Sequence, residues 1–505
     1  MSIFSRGDRV FTIPYLMERA SKLFANVEVV GTEVRRGYKE INGRIKSLTA
    51  YFEEIGIRNR VVAVADWNTP EFFELIYAIT AAGGVVYPVN IRLPPEQIAY
   101  TLQKSESQIL IYSDDFAALT KVFDGEKMHI RDVAEKGDEG REPSFEAKQD
   151  DPAVMLFTSG TTGLPKAVRY THEKMLHGAL SIAHQLTLHD TPAKLTSADV
   201  IFPQIPIYHI LAWGTVFIAP YMGLKLIMGG RFDPAATVEM IKREGGTWIN
   251  AVPTMVNMLL ETKADLSGLK VLIGGSAITS DLARRMEKAG IKFTTIYGAT
   301  DMLAASIAIM TEHARTEGLD YIRQVTHPVP FGEFKIVKQE GMGEDIGEIW
   351  FRAPWLPMEY YKDEAKSREA YTEDGWFKTG DLGTEMPDGG IKVLDRVKDA
   401  IKSGGEWIPS SILESVISEV DWVEYVAVIG KPDEKWGERP LAIIKPLDME
   451  RVSIDEVKDH LRKAVDAGRI AKWWIPEEFV VVKDMPLTST GKINKLSLRK
   501  EVLGE

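Results

Sequence analysis

A loop rich in glycine and hydroxyl residues, residues 158–166, directly follows an apolar run at 153–157 that has the composition of a strand. Glycines let backbone N–H groups approach an anion closely, hydroxyls add donors, and Lys166 adds a positive charge. A flexible turn is the alternative interpretation. The spacing differs from a Walker A loop, because Leu164 and Pro165 separate the last glycine from Lys166. The candidate phosphate-binding residues are Thr158, Ser159, Gly160, Thr161, Thr162, Gly163 and Lys166.

Four later segments carry further candidate residues in a fixed order. They are 297–301 (YGATD), 375–381 (GWFKTGD), 395–406 (DRVKDAIKSGGE) and 488–495 (TSTGKINK). Together with the loop at 158–166, they resemble the adenylate-forming superfamily, which includes acyl-CoA synthetases, luciferases and the adenylation domains of peptide synthetases. The resemblance runs from Gly31 to Arg499 and is closest to the AMP-forming ligases of medium- and long-chain fatty acids.

Composition fits such an enzyme. The chain has 505 residues, of which 45% are hydrophobic, enough for several domains with a large core. The net charge of −12 argues against a nucleic-acid partner, so phosphates must be met by local cations. Cysteine is absent, so a reacting thiol must come from outside the chain, which fits coenzyme A.

Two segments bear on location. Residues 1–11 lack a long apolar stretch and resemble neither a signal peptide nor an anchor. The apolar run at 205–228 is interrupted by His209, Pro220 and Lys225, and we interpret it as a buried helix followed by a strand rather than a membrane span. We therefore expect a cytoplasmic protein, and the sequence leaves its oligomeric state open.

Strand-like and helix-like runs alternate along the chain, which predicts an α/β fold. The strand-like runs are 61–65, 108–112, 153–157, 225–228, 248–252 and 271–273. After Gly389 and Gly390 the pattern changes to helices at 410–420 and 454–465 and strands at 423–429 and 441–445. We predict a large N-terminal domain of sheets packed with helices (1–396) and a small, mobile C-terminal α+β domain (397–505), with the hinge that the resemblance places at Lys398.

The resemblance implies a two-step reaction. A carboxylate attacks the α-phosphate of ATP and releases pyrophosphate, and the acyl group then passes to the thiol of coenzyme A. We expect fatty acids as substrates. The alternatives are a short-chain, hydroxy-acid or aryl-acid CoA ligase, and a carrier-protein-loading enzyme or inactive binding module. The last pair is disfavoured because no carrier domain follows Glu505 and because Lys166, Asp381 and Lys492 are all present.

The resemblance also assigns nucleotide contacts. Residues 158–166 would bind the β- and γ-phosphates, and Thr300 the α-phosphate. Asp381 is the candidate for the ribose, because one carboxylate can accept both vicinal hydroxyls, and Arg396 would support it. The residues expected to line the adenine and the acyl carbonyl are Gly274, Gly275, Ser276, Tyr297, Gly298 and Ala299. For the glycines, a tight turn is the alternative.

The metal position departs from the family pattern. The tyrosine-glycine motif usually carries Glu where this chain has Asp301, and in relatives that carboxylate binds Mg²⁺. A side chain one methylene shorter reaches the ion directly or through water.

Residues near the C-terminus supply the remaining charge. The resemblance implies that Lys492 bridges the substrate carboxylate and the α-phosphate. It places Lys402, Gly404 and Gly405 in a loop that enters the site after the small domain rotates. Glycines suit a tunnel wall that must let the pantetheine arm pass.

The segment 207–214 resembles the part of fatty-acyl-CoA ligases in which an aromatic or histidine side chain lies near the carboxylate and a tryptophan gates the acyl tunnel. Tyr208, His209 and Trp213 are the candidates, with ordinary core packing as the alternative for Trp213. No acidic residue occurs at 206–223 to pair with an ammonium, which disfavours amino acids. Four nearby histidines lack metal spacing, and we expect a solvated helix face instead of a zinc site. They are His172, His177, His184 and His189.

Overall fold

A computed structural model of the chain describes residues 10–144, 146–158, 164–303, 305–338, 345–487 and 493–504. Strands and helices alternate through the first four hundred residues or so. The strands are β1 (Glu28–Val30), β2 (Arg35–Gly37), β3 (Val61–Ala65), β4 (Val85–Pro88), β5 (Ser107–Tyr112), β6 (Glu126–His129), β7 (Pro152–Phe157), β8 (Ala167–Thr171), β9 (Val200–Pro203), β10 (Lys225–Ile227), β11 (Trp248–Ala251), β12 (Lys270–Gly274), β13 (Lys292–Tyr297), β14 (Ser306–Ile307), β15 (Val325–Pro328), β16 (Glu333–Lys338), β17 (Gly347–Arg352), β18 (Phe377–Glu385), β19 (Ile391–Arg396), β20 (Ile401–Ser403), β21 (Glu406–Ile408), β22 (Val423–Asp433), β23 (Gly437–Pro446) and β24 (Glu478–Val481).

The helices lie mainly in the connections between strands. They are α1 (Ile13–Leu23), α2 (Tyr38–Glu54), α3 (Pro70–Ala81), α4 (Pro95–Lys104), α5 (Ile130–Glu135), α6 (His172–Leu188), the left-handed turn α7 (Ile210–Trp213), α8 (Thr215–Met222), α9 (Pro234–Glu244), α10 (Pro253–Glu261), α11 (Ser280–Lys288), α12 (Glu312–Glu317), α13 (Leu319–Ile322), α14 (Glu364–Ala370), α15 (Ser410–Ile417), α16 (Ile454–Asp466) and α17 (Lys495–Leu503), with 3-10 helices at Asp114–Lys121, Lys136–Glu139, Met449–Arg451 and Lys472–Trp474.

Thirteen of the described strands form one sheet, in the order β16-β17-β18-β19-β15-β14-β13-β12-β11-β9-β10-β1-β2. The neighbours from β1 to β13 are parallel, whereas β2 and the strands from β14 to β16 pair antiparallel. Parallel strands end at the same edge of a sheet. The residues that follow β12 and β13 therefore lie side by side.

A second sheet has the order β6-β5-β3-β4-β7-β8, in which only the β7–β8 pair among the described strands is antiparallel. All five residues of β3 are buried, as expected for a parallel strand with helices on both faces. Strands β7 and β8 flank residues 158–166. Thr158 directly follows β7, and Lys166 directly precedes β8.

The two sheets share one hydrophobic core. Val62 of the six-stranded sheet and Leu272 of the thirteen-stranded sheet belong to the same buried cluster. Tyr77 of α3 donates a hydrogen bond to the carbonyl of Val216 in α8 at 2.8 Å, and both residues are buried. Together they form the large N-terminal domain, and the predicted α/β fold is confirmed.

The apolar run at 205–228 contains the predicted buried helix, α8, and the predicted strand, β10. Its first part differs from the prediction, because Ile210–Trp213 is a left-handed turn. In the ranges that the structure describes, no helix is both long and apolar enough to cross a bilayer.

The smaller C-terminal domain is built on a five-stranded sheet, with β21-β20-β23-β22 in order and β24 beside β23. Trp422 is fully buried in its core. Ser453 caps α16 by accepting a hydrogen bond from the backbone N–H of Glu456, the sequence pattern of a capping box. Helix α15 ends at Ile417, three residues earlier than predicted. Strand β19 ends at Arg396 in the large sheet, and β20 begins the small sheet at Ile401.

Candidate active site

The base of the phosphate loop is closed by backbone contacts. The N–H of Thr158 donates to the carbonyl of Lys166 at 2.9 Å, and the N–H of Lys166 donates to the Thr158 hydroxyl at 3.2 Å. Both ends of the loop are therefore fixed to the β7–β8 pair. The predicted residues Ser159, Gly160, Thr161, Thr162 and Gly163 lie outside the described residues.

Lys166 and Asp301 lie on either side of one tyrosine. The Lys166 ammonium is 4.4 Å from the centre of the Tyr360 ring, and the Tyr360 hydroxyl donates a hydrogen bond to Asp301 Oδ2 at 2.7 Å. Asp301 is only 7% exposed. Burial raises the pKa of Asp301, and the Tyr360 hydroxyl and the Lys166 charge oppose that rise. A cation for phosphates and a carboxylate suited to Mg²⁺ are thus held close together.

Thr300 follows β13 in the same turn as Asp301. The Tyr170 hydroxyl donates to its carbonyl at 2.7 Å, which fixes the backbone where the α-phosphate contact is predicted. The carbonyl of Ala299 accepts from the N–H groups of Met302 and Leu303 and closes the turn. Gly298 is exposed at its start.

The candidate ribose carboxylate lies between two strands and a tyrosine. Asp381 of β18 and Arg396 of β19 are direct partners in the sheet, and Arg396 Nε is 3.4 Å from Asp381 Oδ1. The Tyr297 hydroxyl donates to Asp381 Oδ2 at 2.7 Å. Asp381 is 9% exposed. A carboxylate oxygen can accept more than one hydrogen bond, which is the chemistry that the predicted ribose contact of Asp381 requires.

The predicted 274–276 turn follows β12, next to the Tyr297 end of β13. A Cβ on Gly274 would lie 2.6 Å from the Ile296 carbonyl oxygen, so only glycine fits there. Gly275 has a φ of +88°, which also favours glycine, and Ser276 is exposed. Close packing against β13 accounts for Gly274, and the turn accounts for Gly275. Neither constraint excludes the predicted contact with the adenine or the acyl carbonyl.

The acyl segment contains two aromatic candidates of different character. Tyr208 is 4% exposed, its hydroxyl has no hydrogen-bond partner among the described residues, and burial raises its pKa to about 12. The rings of Tyr208 and His209 are 4.7 Å apart in an edge-to-face arrangement. Trp213 is half-buried and packs against the two largest core clusters, with its ring beside Gly274.

The turn that carries Trp213 has an unusual backbone. Ile210, Leu211, Ala212 and Trp213 have φ values of 42°, 43°, 51° and 52°, and Gly214 continues at 79°. A left-handed conformation costs an L-residue roughly 1–2 kcal/mol, so four in a row must be held by their surroundings.

The hinge and tunnel candidates lie where the small domain begins. Burial lowers the pKa of Lys398, with Asp399, Arg396 and Asp381 near enough to contribute. The backbone N–H of Lys402 donates to Glu438 at 2.9 Å. In the part of the chain that the structure describes, no hydrogen bond or ion pair joins Lys402 to Asp301 or Asp381.

Gly404 and Gly405 have φ values of +62° and +90°, which favour glycine. A Cβ on Gly404 would lie 2.9 Å from the Trp436 ring. The contacts of this loop are thus with its own domain. Lys492 lies outside the described residues.

One expectation for the histidines is wrong. His172 is fully buried, its Nδ1 accepts a hydrogen bond from the backbone N–H of Ile13 at 3.2 Å, and burial lowers its pKa to about 3. The first turn of α6 faces the core at this position rather than solvent.

Sequence reasoning missed three tyrosines of the candidate site. Tyr170 and Tyr360 donate hydrogen bonds to the Thr300 carbonyl and to Asp301, and the ring of Tyr371 lies 6.0 Å from that of Tyr360. Tyr371 is buried, and its hydroxyl has no partner among the described residues. These tyrosines lie in segments that are distant from Asp301 in the sequence and that contain none of the glycine- and lysine-rich motifs. An aromatic-rich stretch such as 360–361 was the only available signal.

The donor set fits a magnesium nucleotide. Lys166 supplies a cation, Asp301 a buried carboxylate oxygen of the kind that Mg²⁺ binds, and Asp381 an acceptor for the ribose. Lys166 directly precedes β8, Asp301 lies in the turn after β13, and Asp381 lies within β18, so both sheets of the large domain contribute.

The chain is similar in sequence to known families and proteins. A family model described as AMP-binding enzyme matches residues 17–361, and the AMP-binding enzyme C-terminal domain matches 413–492. A long-chain-fatty-acid–CoA ligase of Thermus thermophilus is 33% identical over 96% of the chain and 94% of that protein. A medium-chain-fatty-acid–CoA ligase of Ectopseudomonas oleovorans is 29% identical over 96% of the chain and 95% of that protein.

The fold is similar to that of o-succinylbenzoate CoA synthetase from Bacillus subtilis, solved in complex with its acyl-adenylate intermediate. The TM-score is 0.84 at 24% identity, with 96% of this chain and 97% of that one covered. The family models and the relatives span nearly the whole sequence, and the chain belongs to the family of AMP-binding enzymes.

Proposed function

We propose that the chain is an AMP-forming acyl-CoA synthetase that acts on fatty acids. The carboxylate attacks the α-phosphorus of ATP, pyrophosphate leaves, and the acyl-adenylate then reacts with the thiol of coenzyme A to give acyl-CoA and AMP. The observation that carries the proposal is the pair of buried carboxylates, Asp381 and Asp301, held by Tyr297 and Tyr360 beside Lys166. The two relatives described above are ligases of long- and medium-chain fatty acids.

The first step brings two anions together, so the site must stabilise negative charge that builds up on the α-phosphate. We assign the β- and γ-phosphates to residues 158–166 and the α-phosphate to Thr300, whose backbone Tyr170 fixes. Asp381, supported by Arg396, orients the ribose. Asp301 would hold Mg²⁺, directly or through water, and the ion would supply positive charge to the phosphates.

We assign the last cation to Lys492, between the substrate carboxylate and the α-phosphate. The Tyr208 ring packs against that of His209, and we assign its buried hydroxyl as a donor to the acyl carboxylate. Trp213 is proposed as the wall of the acyl tunnel, because it is half-buried between two cores rather than enclosed in one.

The second step requires a different arrangement of the C-terminal domain. We propose a hinge at Lys398 between domains 1–396 and 397–505, in the connection between β19 and β20. The positive φ values of Gly404 and Gly405 keep the backbone free of side chains where the pantetheine arm would pass. Rotation about the hinge would bring Lys402 and these glycines to the adenylate.

Short-chain acids are the second candidate substrate. A 3-methylmercaptopropionyl-CoA ligase of Ruegeria lacuscaerulensis is 30% identical over 97% of both chains, about as similar as the medium-chain ligase. Sequence identity to relatives therefore does not distinguish short-chain from medium-chain substrates. The distinction depends on the shape of the acyl pocket. A cytoplasmic location stays a prediction.

The substrate is tested by measuring pyrophosphate release with butanoate, octanoate, hexadecanoate and benzoate, with and without coenzyme A. We expect release with octanoate or hexadecanoate, and formation of the matching acyl-CoA only when coenzyme A is present. Release with butanoate or benzoate alone would support the second candidate. No release with any acid would contradict the proposed function.

The two steps are separated by Lys492→Ala. This variant should lose carboxylate-dependent pyrophosphate exchange, because the cation between the two anions is gone. It should still convert synthetic acyl-adenylate and coenzyme A to the thioester. Lys398→Pro should show the opposite bias, since a fixed φ at the hinge blocks the rotation. Equal damage to both steps in both variants would contradict the two-arrangement mechanism.

A further inference from the structure

The left-handed turn α7 places a functional side chain on a backbone that L-residues rarely adopt. Isolated residues visit this region, but a run of four does so only when contacts outside the run hold it. Within the turn, the N–H of Gly214 donates to the carbonyl of Ile210 at 3.1 Å, and the N–H of Trp213 donates to that of His209 at 3.2 Å. These two bonds alone do not select the left-handed form, because a right-handed turn would make them equally well.

One buried side chain makes the selecting contact. Asn250 of β11 is 0% exposed, and its Nδ2 donates to the carbonyl of Ala212 at 2.7 Å. Its Oδ1 accepts from the backbone N–H groups of Gln204 and Ile205 at 3.0 and 3.1 Å. The carboxamide thus joins the chain after β9 to the middle of the left-handed turn.

The Ala212 carbonyl has a second donor. The Thr215 hydroxyl, also buried, lies 2.9 Å from it. A buried carbonyl without a partner is costly, so these two side chains fix the direction in which the Ala212 peptide points. The direction of the next residue, Trp213, follows from that peptide.

The ring of Trp213 depends on this direction. It lies beside Gly274, where a Cβ would be 3.4 Å from the ring, and it contacts the two main cores at once. If the turn relaxed to an ordinary backbone conformation, the ring would leave the gap between the cores. In that gap the ring forms the proposed wall of the acyl tunnel.

We propose that Asn250 is a specificity-determining positioning residue, which sets the acyl-chain preference by holding the left-handed turn that carries Trp213. The inference rests on the proposed fatty-acid function, and it adds a residue whose hydrogen bonds are to the backbone of residues 204, 205 and 212.

The chain offers a matched control in Asn68, which is 4% exposed. Its Nδ2 donates to the carbonyls of Ile205 and Pro203 at 2.9 and 3.3 Å, and its Oδ1 accepts from the N–H of Ile207 at 2.9 Å. Asn68 therefore makes the same kind of contacts to the same segment, but they end before the turn.

The first experiment compares kcat/KM for octanoate and hexadecanoate in Asn250→Ala and Asn68→Ala. We expect Asn250→Ala to shift the ratio toward the longer acid by about tenfold, the size of effect that one poorly fitted group produces in an apolar pocket. The KM for ATP should change little. Asn68→Ala should lower the melting temperature to a similar extent and keep the wild-type ratio. A wild-type ratio in Asn250→Ala would overturn the inference.

If Asn250→Ala does not fold, Thr215→Val removes the other donor to the same carbonyl with little change in volume. We expect a smaller shift of the ratio in the same direction, and an unchanged ratio would count against the inference. If the wild type is active on either acid but the variants keep its ratio, the role of Asn250 is refuted while the proposed fatty-acid function stands.

A second measurement does not require the proposed function. Because the chain contains no cysteine, Trp213→Cys introduces a single thiol. Its reaction rate with a maleimide should rise when Asn250→Ala is added and stay unchanged when Asn68→Ala is added. Equal rates in the two double variants would overturn the inference, even if the enzyme proved to act on no fatty acid.

Discussion

The two carboxylates of the candidate site are positioned in different ways. Asp381 lies on β18, and the backbone pairing with β19 puts Arg396 directly beside it. Asp301 lies in a turn after β13, and its carboxylate is held by the hydroxyl of Tyr360, 59 residues further along the chain. Strand register sets the backbone position of Asp381, with the Tyr297 hydroxyl as an added support, whereas Asp301 lies in a turn and depends on the Tyr360 side chain. Replacing one supporting side chain should therefore disturb Asp301 far more than Asp381.

The largest effect is expected for Asp381→Asn. The variant loses the charge that accepts the ribose hydroxyls, and two hydrogen bonds to a charged group contribute roughly 3 kcal/mol or more, which corresponds to about 100-fold. We expect kcat/KM for ATP to fall by that factor with the acid saturating. Circular dichroism should show an unchanged fold, and an unaltered KM for ATP would refute the ribose assignment.

Tyr360→Phe tests the side-chain support of Asp301 directly. Removal of a partner that orients a metal ligand weakens metal binding by about tenfold or more. We expect this loss in Mn²⁺ binding, measured by electron paramagnetic resonance in the presence of a non-hydrolysable ATP analogue, and in the Mg²⁺ titration of pyrophosphate release. The KM for ATP at saturating Mg²⁺ should change much less. If metal affinity and the KM for ATP were impaired equally, Tyr360 would not act on Asp301 specifically, and the contrast between Asp301 and Asp381 would be wrong.

Asp301→Glu restores the side chain that relatives carry. The added methylene must fit a position that is only 7% exposed, so we expect a lower melting temperature, with a stability cost of about 1–3 kcal/mol. The longer carboxylate should preserve activity or raise it. Asp301→Asn, which keeps the size and removes the charge, should instead weaken the Mg²⁺ dependence. If Asp301→Glu were inactive but as stable as the wild type, the site would require the shorter Asp301 side chain, and the prediction that Glu can replace it would be wrong.

The smallest effect is expected for Tyr371→Phe, the matched control for Tyr360→Phe. Its hydroxyl is buried without a partner among the described residues, so its removal costs no hydrogen bond there. We expect unchanged Mg²⁺ dependence and an unchanged or slightly higher melting temperature. A loss of Mg²⁺ affinity as large as that of Tyr360→Phe would mean that both hydroxyls serve the carboxylate.

The sequence predicted what depends on local pattern. The buried strand β3 and the helix α16 were predicted from the residues of their own segments, 61–65 and 454–465, and both are confirmed in the structure. The residues that align with motifs in the candidate site could be named, although the roles of Asp381 and Lys166 stay predictions.

Contacts between residues far apart in the sequence could not be predicted in this way. Tyr360 and Asn250 form hydrogen bonds with residues 59 and 38 positions away in the sequence. No local motif around either residue predicts these contacts. The left-handed turn was also missed, because Ile210, Leu211 and Trp213 are ordinary residues of a buried helix and only tertiary contacts reverse their backbone. His172 was misplaced for a related reason, since the partner that buries it comes from the segment at Ile13.

The division of the site between two sheets has a consequence for unfolding. Lys166 is anchored to the six-stranded sheet, whereas Thr300 and Asp381 belong to the thirteen-stranded one. A nucleotide that touches all three would add a further connection between the sheets, beside the shared core and the hydrogen bond from Tyr170 to the Thr300 carbonyl. Its binding energy would then add to the cooperativity of the domain. We expect amide protons of β7 and β18 to exchange more slowly, and together, when ATP is present.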